Sequence, residues 1–229
     1  MNLTEHRDCL ASSTVFRGKL CEQFSSRDAW PVPAGQTIYA TADRGDSVYF
    51  LRSGLVKTSV ISEKGKELLL SIYGPGEIFG ELCFCNGQRR EQAVAMEGSE
   101  VVEIRFDDLI HELRKSRQAM VDMLNTICHR LAQAHDQLVI LSFDKTMERL
   151  VRKVLELAEE LGNSTAQGTG IAHYIKQEEL AQMIAAPREV VSSLLNELRE
   201  MDLVAYSRRG RLTVDTKALR AYLESVSSE

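Results

Sequence analysis

The sequence predicts an α+β protein in which a β domain comes first and long helices follow. Glycine placement carries much of this prediction, because ten of the 14 Gly residues lie at or before Gly98. No Gly or Pro occurs from Ser99 to Leu161. Regular turn signals followed by their complete absence indicate short strands that run into helices. Two further apolar patterns at helical spacing lie beyond residue 119.

Six short apolar or alternating runs predict the strands of the β domain. Turn residues such as Ser53-Gly54 and Lys64-Gly65 separate them. The runs cover residues 37–39, 47–51, 55–61, 67–73, 92–96 and 100–105. Many short strands at this spacing favour a sandwich, jelly roll or barrel over βαβ units.

The first helical stretch carries an apolar pattern whose spacing alternates between four and three residues. Three heptads of this kind form a narrow seam, which is typical of two helices in a coiled coil. A helix that packs only on its own domain usually has a wider apolar stripe, so the pattern predicts self-association. The seam residues are Met120, Leu124, Ile127, Leu131, Ala134, Leu138 and Leu141.

Beyond the seam, Asp144 is a candidate N-cap for a helix that ends at Gly162, and residues 163–170 are predicted to be a polar loop. Two short amphipathic patterns follow, joined by a turn with Pro187 at the first helical position of the second. Their apolar residues are Leu180, Met183 and Ile184 in the first, and Val191, Leu194, Leu195 and Leu198 in the second. This arrangement predicts a helix–turn–helix.

Arg188 and Glu189 begin the second of these helices. An Arg can donate two hydrogen bonds to a guanine, and a carboxylate can accept one from cytosine N4. A solvated Arg–Glu pair is the alternative, but residues 203–206 and 211–214 then predict a β-hairpin with a basic tip, as in a winged helix. The predicted DNA contacts are Lys176, Gln177, Arg188, Glu189, Ser192, Ser193, Arg208, Arg209 and Arg211.

Composition limits the classes of function that fit. The chain is 44% hydrophobic and 27% charged with a net charge of −5, so double-stranded DNA would have to be held by a local basic patch. No apolar stretch approaches the roughly 18 residues of a membrane span, and the polar N-terminus has no signal-peptide core, so we expect a cytoplasmic protein. Five cysteines do not suggest a disulfide framework, and the histidines show no metal-ligand spacing.

Three segments of the β part resemble the cyclic-nucleotide-binding domain of the Crp/Fnr transcription regulators. They read GDSVYFL with SGLV (residues 45–56), EKGKE (63–67) and GEIFGEL (76–82), and the seam and the helix–turn–helix follow in the family's order. The resemblance covers residues 14–223. It implies a β jelly roll in residues 1–113, a dimerisation helix in 114–143 and a winged helix–turn–helix in 144–229. It also implies a homodimer that binds pseudo-palindromic promoter DNA and recruits or blocks RNA polymerase.

In the family's cyclic-AMP-responsive members a Glu that matches Glu81 holds the ribose, and an Arg-Ser pair holds the cyclic phosphate. The pair can be aligned in two ways. Counting back from Ala95 and Ile104 places Arg89 and Arg90 at the pair, whereas counting forward from Glu81 places Arg90 and Glu91 there. Neither alignment has a Ser. A carboxylate there would repel a phosphate, which argues against cyclic AMP. The candidate effector-binding residues are Phe79, Gly80, Glu81, Leu82, Arg89, Arg90, Glu91 and Gln133, with Gln133 and Ala134 at the family's purine-contacting positions. A different nucleotide, another small molecule or no ligand all stay open.

The recognition helix also departs from those members, because Ser193 stands where they carry a second Arg. The main hypothesis is therefore a small-molecule-controlled DNA-binding regulator. The alternative is a ligand-independent regulator, or one governed by the thiols of Cys83 and Cys85, with a vestigial effector pocket. An enzyme is disfavoured because the chain has no Gly-x-Ser-x-Gly, P-loop or His-Glu-x-x-His motif.

Overall fold

The computed structural model describes residues 19–165, 168–171, 173–206 and 212–226. The chain divides into two compact units, and the division falls between Ala134 and His135, within one long helix. In the part of the chain that the structure describes, no helix is both long and apolar enough to cross a membrane.

The N-terminal unit is built from two four-stranded antiparallel sheets. One sheet has the strand order β1-β8-β3-β6 and the other β2-β7-β4-β5, which together form the expected jelly roll. The strands are β1 (Trp30–Val32), β2 (Thr37–Tyr39), β3 (Ser47–Ser53), β4 (Val56–Ile61), β5 (Glu67–Tyr73), β6 (Ile78–Phe79), β7 (Gln92–Ala95) and β8 (Ser99–Arg105). The helices are α1 (Lys19–Ser25), a 3₁₀ helix (Glu81–Cys85), α2 (Phe106–Lys115) and the first part of α3 (Arg117–Phe143).

All six predicted strands are confirmed. Strands β1 and β6 were missed, because β1 contains Pro31, a residue disfavoured in strands, and β6 has only two residues, too few to show an alternation. Strand β3 is buried on both sides and separates two parts of the core. Val48 and Phe50 pack in a cluster with Phe24 of α1, whereas Tyr49 and Leu51 pack in a cluster inside the roll. Alternate side chains of one strand thus reach opposite faces.

The C-terminal unit contains the end of α3 and a sheet with the strand order β11-β12-β10-β9. Its further elements are α4 (Thr146–Leu161), β9 (Gly162–Thr165), β10 (Gly168–Ile171), α5 (Gln177–Met183), α6 (Arg188–Glu200), β11 (Val204–Tyr206), β12 (Leu212–Val214) and α7 (Thr216–Val226). Helices α5 and α6 form the predicted helix–turn–helix, and β11 pairs with β12 as the predicted hairpin.

Three local predictions in this unit were wrong. The segment predicted as a polar loop contains the paired strands β9 and β10, because backbone pairing does not require apolar side chains. Lys145 rather than Asp144 is the N-cap of α4, and the Asp144 carboxylate instead pairs with Arg152. Pro187 is the N-cap of α6, so Arg188 takes the first helical position.

Candidate functional site

Helix α3 presents the predicted seam to solvent in the single chain. Five large seam side chains are between 44% and 62% exposed, namely Met120, Leu124, Ile127, Leu131 and Leu138. Ala134 is also exposed and Leu141 is half-buried. Exposed apolar side chains at heptad spacing along one helix give a face suited to pairing with a second helix.

The helix–turn–helix is fixed by local contacts as well as by burial. The Glu179 carboxylate accepts a hydrogen bond of 2.8 Å from the backbone N–H of Lys176 at the start of α5. Ala185, in the turn before α6, has a φ of 52°, in the left-handed region that non-glycine residues seldom adopt. Buried Leu180 and Leu195 lie on α5 and α6, so the two helices turn their polar faces outward.

Four of the predicted DNA-contact residues line one open cleft of about 380 Å³. They are Gln177 from α5 and Arg188, Glu189 and Ser192 from α6. The first two residues of α6 are exposed, so their polar ends are free to approach base edges or phosphates.

Lys176 and Ser193 are exposed beside these residues. Arg208, Arg209 and Arg211, which were predicted to contact DNA from the tip of the hairpin, lie outside the described residues.

The last part of α3 is bonded to the helix–turn–helix within the C-terminal unit. The side-chain amide of Gln137 donates a hydrogen bond of 3.1 Å to the backbone carbonyl of Met183, at the end of α5. This hydrogen bond joins the last part of α3 to α5.

Stacked aromatic rings fill much of the interior of the roll in the N-terminal unit. The Tyr49 ring lies 5.5 Å from both the Tyr39 and the Phe79 ring, and Phe79 lies 5.4 Å from Tyr73. Phe79, a predicted effector contact, is fully buried in this stack, whereas Leu82 is 44% exposed. The rings therefore pack mainly against one another.

In the Arg-Arg-Glu segment, the first arginine and the glutamate face the interior of the roll, and the second arginine does not. Arg89 and Glu91 point into the roll and are 4% exposed, while Arg90 is exposed. The Arg89 guanidinium donates to the backbone carbonyls of Gly80 (2.6 Å) and Ser47 (2.7 Å). It also lies 4.3 Å from the centre of the Tyr39 ring, a cation–π distance. Arg89 is thus held by the chain itself.

Glu91 is a buried acid among polar neighbours. Its Oε1 accepts a hydrogen bond of 3.1 Å from the Tyr39 hydroxyl. Burial raises the pKa of Glu91 to about 7, and the negative charge of Glu81 adds to the rise. The carboxyl therefore exchanges its proton near neutral pH.

Glu81 is paired with an arginine that the sequence prediction missed. Arg130 of α3 donates one hydrogen bond to Glu81 Oε1 and another to the carbonyl of Ile78. Its guanidinium lies 5.0 Å from the centre of the Tyr73 ring. Glu81 Oε2 is buried and has no hydrogen-bond partner among the described residues. Gln133, the predicted contact on this helix, is half-buried.

The two thiols of the alternative hypothesis have different surroundings. Cys83 is buried beside Arg89, with Sγ 3.0 Å from Nη1, and burial raises the pKa of its thiol. Cys85 is exposed. Burial and the raised pKa both lower the reactivity of the Cys83 thiol.

Each of the two units matches a known protein family. The cyclic nucleotide-binding domain family matches residues 30–116 and the Crp-like helix–turn–helix domain family matches residues 148–222. The cyclic AMP receptor protein of Thermus thermophilus is 31% identical, over 85% of this chain and 86% of its own length. The CRP-like cAMP-activated global transcriptional regulator of Mycobacterium tuberculosis is 29% identical, over 93% and 97%. A mutant of CooA from Carboxydothermus hydrogenoformans superposes with a TM-score of 0.77 at 20% identity, covering 91% of this chain and 97% of that one.

A cyclic nucleotide-binding domain followed by a Crp-like helix–turn–helix is the domain organisation of a DNA-binding transcription regulator with an effector-binding domain. The chain belongs to the Crp/Fnr family of transcription regulators, whose members are not enzymes.

Proposed function

We propose that this protein is a cytoplasmic homodimer that binds pseudo-palindromic promoter DNA and changes its affinity when a small molecule enters the β roll. The observation that carries the proposal is the cleft in which Arg188 and Glu189 stand exposed at the start of α6, next to Gln177 of α5. Helix N-termini of this kind enter the major groove in helix–turn–helix complexes.

The seam on α3 supplies the second copy. A coiled-coil pair through the seam places two α6 helices in one dimer, and dimeric helix–turn–helix proteins read half-sites about 34 Å apart. In each half-site Arg188 would read a guanine and Glu189 a cytosine. Lys176, Gln177, Ser192 and the wing arginines Arg208, Arg209 and Arg211 would contact phosphates, and Ser193 leaves a neighbouring position weakly specified.

A small-molecule effector would act by shifting a population of conformations. Binding near Glu81 would bias the position of Arg130 and hence of α3, and the Gln137–Met183 hydrogen bond would pass the change on to α5. The Mycobacterium tuberculosis relative is named as cAMP-activated, which supports a small-molecule effector here and leaves its identity open. RNA polymerase is the proposed partner at the promoter.

The test is binding to a duplex selected from a random pool by the wild-type protein. Arg188→Ala should weaken specific binding by about 1 to 3 kcal/mol and relax the base preference at one position of each half-site. Arg220→Ala is the matched control, because Arg220 is an exposed arginine on α7 that pairs with Glu159 away from the cleft. Equal binding by the wild type and both variants would contradict the proposed reading of DNA.

One observation favours a second candidate, the regulator without a ligand. The terminal nitrogens of Arg89 and one oxygen of Glu81 already have hydrogen-bond partners within the chain. These polar groups inside the roll therefore do not need an effector to form their hydrogen bonds. Titration of candidate nucleotides while DNA affinity is followed separates the two candidates. A DNA affinity that no candidate changes would favour the ligand-independent form.

A further inference from the structure

The outward face of α6 extends beyond the residues already assigned to DNA. Val191, Leu195 and Leu198 are at most 1% exposed, and they define the side of α6 that packs on its own unit. Residues three or four positions apart share one face of a helix. On the side turned away from the buried residues, a second set at this spacing consists of Glu189, Ser192, Ser193 and Asn196.

The spacing of this second set suits base readout by a single helix. Relative to Glu189, the other three residues are three, four and seven positions further along. The base-reading residues of a homeodomain recognition helix have the same spacing. From Glu189 to Asn196 the helix rises about 10 Å, which is less than the roughly 12 Å width of the major groove. A helix that brings Glu189 to the bases can therefore bring Asn196 to them as well.

Two short side chains precede Asn196 on this face. Ser192 and Ser193 each extend only a hydroxyl beyond Cβ, so they hold the helix less far from the base edges than a long side chain would. A closer approach of α6 brings the next side chain along the same face within reach of the groove floor. The serine at position 193 thus favours a contact one turn further on.

The chemistry of Asn196 matches one base. The residue is exposed, and its side-chain amide has no hydrogen-bond partner among the residues that the structure describes. An amide offers both an acceptor and donors, and adenine presents the N6 amino group and the N7 acceptor in the major groove. The next two outward residues, Glu197 and Glu200, are exposed acids that a phosphate repels, so the contact face ends at Asn196.

We infer that Asn196 is a specificity-determining residue that reads an adenine in each half-site. Its Oδ1 accepts a hydrogen bond from adenine N6, and its Nδ2 donates one to adenine N7. This inference rests on the proposed DNA-binding function and deepens it, because it adds a base contact to those of Arg188 and Glu189.

The experiment selects duplexes from a random pool with the full-length protein at one fixed salt concentration, and then measures affinities for the selected duplex. Two variants are compared with the wild type, Asn196→Ala and Asn196→Asp. The matched control is Asn125→Ala, since Asn125 is an exposed asparagine on α3 outside the helix–turn–helix.

We expect the wild type to select adenine at one position of each half-site, besides the positions read by Arg188 and Glu189. Asn196→Ala should lose this preference and bind the selected duplex about five- to a hundredfold more weakly. Its affinity for a duplex changed at that position alone should match that of the wild type. Asn196→Asp should prefer cytosine there, because a carboxylate accepts from cytosine N4. Asn125→Ala should keep every preference.

Three outcomes would overturn the inference. They are the same base preferences in Asn196→Ala and the wild type, an equal loss of affinity by Asn196→Ala for all duplexes, or no change of preferred base in Asn196→Asp. Failure of the proposed function looks different, because the wild type would then select no sequence or Arg188→Ala would bind like the wild type. A failure confined to the Asn196 variants rejects only the role of Asn196.

Discussion

The Arg130 guanidinium on α3 pairs with the carboxylate of Glu81, a residue 49 positions earlier in the chain. Both side chains are more than four-fifths buried, at 17% and 16% exposure. The pair fixes the 3₁₀ helix that follows β6 against α3, and a second hydrogen bond to the Ile78 carbonyl strengthens this link. The helix that carries the seam is thereby joined to the interior of the roll.

Breaking this pair should destabilise the N-terminal unit. Arg130→Met leaves the Glu81 carboxylate buried without its cation, which should lower the free energy of unfolding by about 3 kcal/mol. The measurement is urea unfolding followed by the fluorescence of Trp30, the only tryptophan, whose ring lies 5.8 Å from Tyr49 and so reports on this unit.

Arg105→Met is the control for this measurement. Arg105 pairs with Asp46, and both side chains are more than half exposed, so its loss should cost less than about 1 kcal/mol. Similar losses for the two variants would mean that the Arg130–Glu81 pair contributes no more than a surface ion pair.

The buried acid Glu91 should make the same unit less stable as the pH rises. Its pKa is raised from 4.5 to about 7, so the folded chain keeps a proton that the unfolded chain releases. The stability is therefore greatest at the acidic end of the interval and falls between about pH 4.5 and 7, by a total of about 3 kcal/mol. Above pH 7 this contribution is constant.

Unfolding of the wild type and of Glu91→Gln, compared from pH 5 to 8, measures that contribution. The amide does not titrate, so the stability of Glu91→Gln should lack the decline. The control variant Glu63→Gln, at an exposed position between β4 and β5, should retain it. A decline of equal size in Glu91→Gln would assign the effect to another group.

Periodic signals account for what the sequence predicted correctly. The seam repeats over three heptads, and strands such as β4 and β5 are runs of six and seven residues, long enough to be recognised between turns. Alternation could also have shown which arginine of the Arg-Arg-Glu segment faces the interior. In β7 and the residue before it, the buried Glu91, Ala93 and Ala95 alternate with more exposed residues. Extending that alternation back by two places Arg89 inside.

Long-range pairing explains what the sequence could not predict. Arg130 precedes the seam residue Leu131, where a charged side chain is most often solvated, and nothing local indicates that it reaches Glu81. Strands β9 and β10 are rich in Gly, Ser and Thr, as loops are, and become strands because they pair with each other and β10 also pairs with β12.

Gly80 should tolerate a side chain worse than a second left-handed glycine nearby. Its φ is +84°, and an added Cβ would lie 2.8 Å from Arg89 Nη1 and 3.2 Å from the Tyr39 ring. Gly87 has a φ of +70° and nothing within 4 Å of such a Cβ. Gly87→Ala should therefore cost about 1 to 2 kcal/mol of backbone strain, and Gly80→Ala about 2 kcal/mol more from the displaced Arg89.

Thermal unfolding monitored at Trp30 compares the two glycine variants directly. Because both variants place a side chain in a left-handed conformation, the difference between them measures the contacts of the added Cβ with Arg89 and the neighbouring tyrosine rings. Equal losses would indicate that the Arg89 guanidinium moves aside at no cost.

A charge in the seam should separate the proposed dimer. Leu124 is 56% exposed in the single chain and becomes buried when two seams pack, so Leu124→Glu would bury two carboxylates close together. We expect dimerisation to weaken by roughly 3 kcal/mol, about a hundredfold in dissociation constant. Sedimentation velocity over a range of concentrations measures the change, with Asn125→Glu as the control, since Asn125 is exposed on the same helix outside the seam. Specific DNA affinity should fall with the dimer, because each monomer then holds only one half-site. A wild type that stays monomeric at every concentration, or the same shift in both variants, would rule out the seam as the dimer interface.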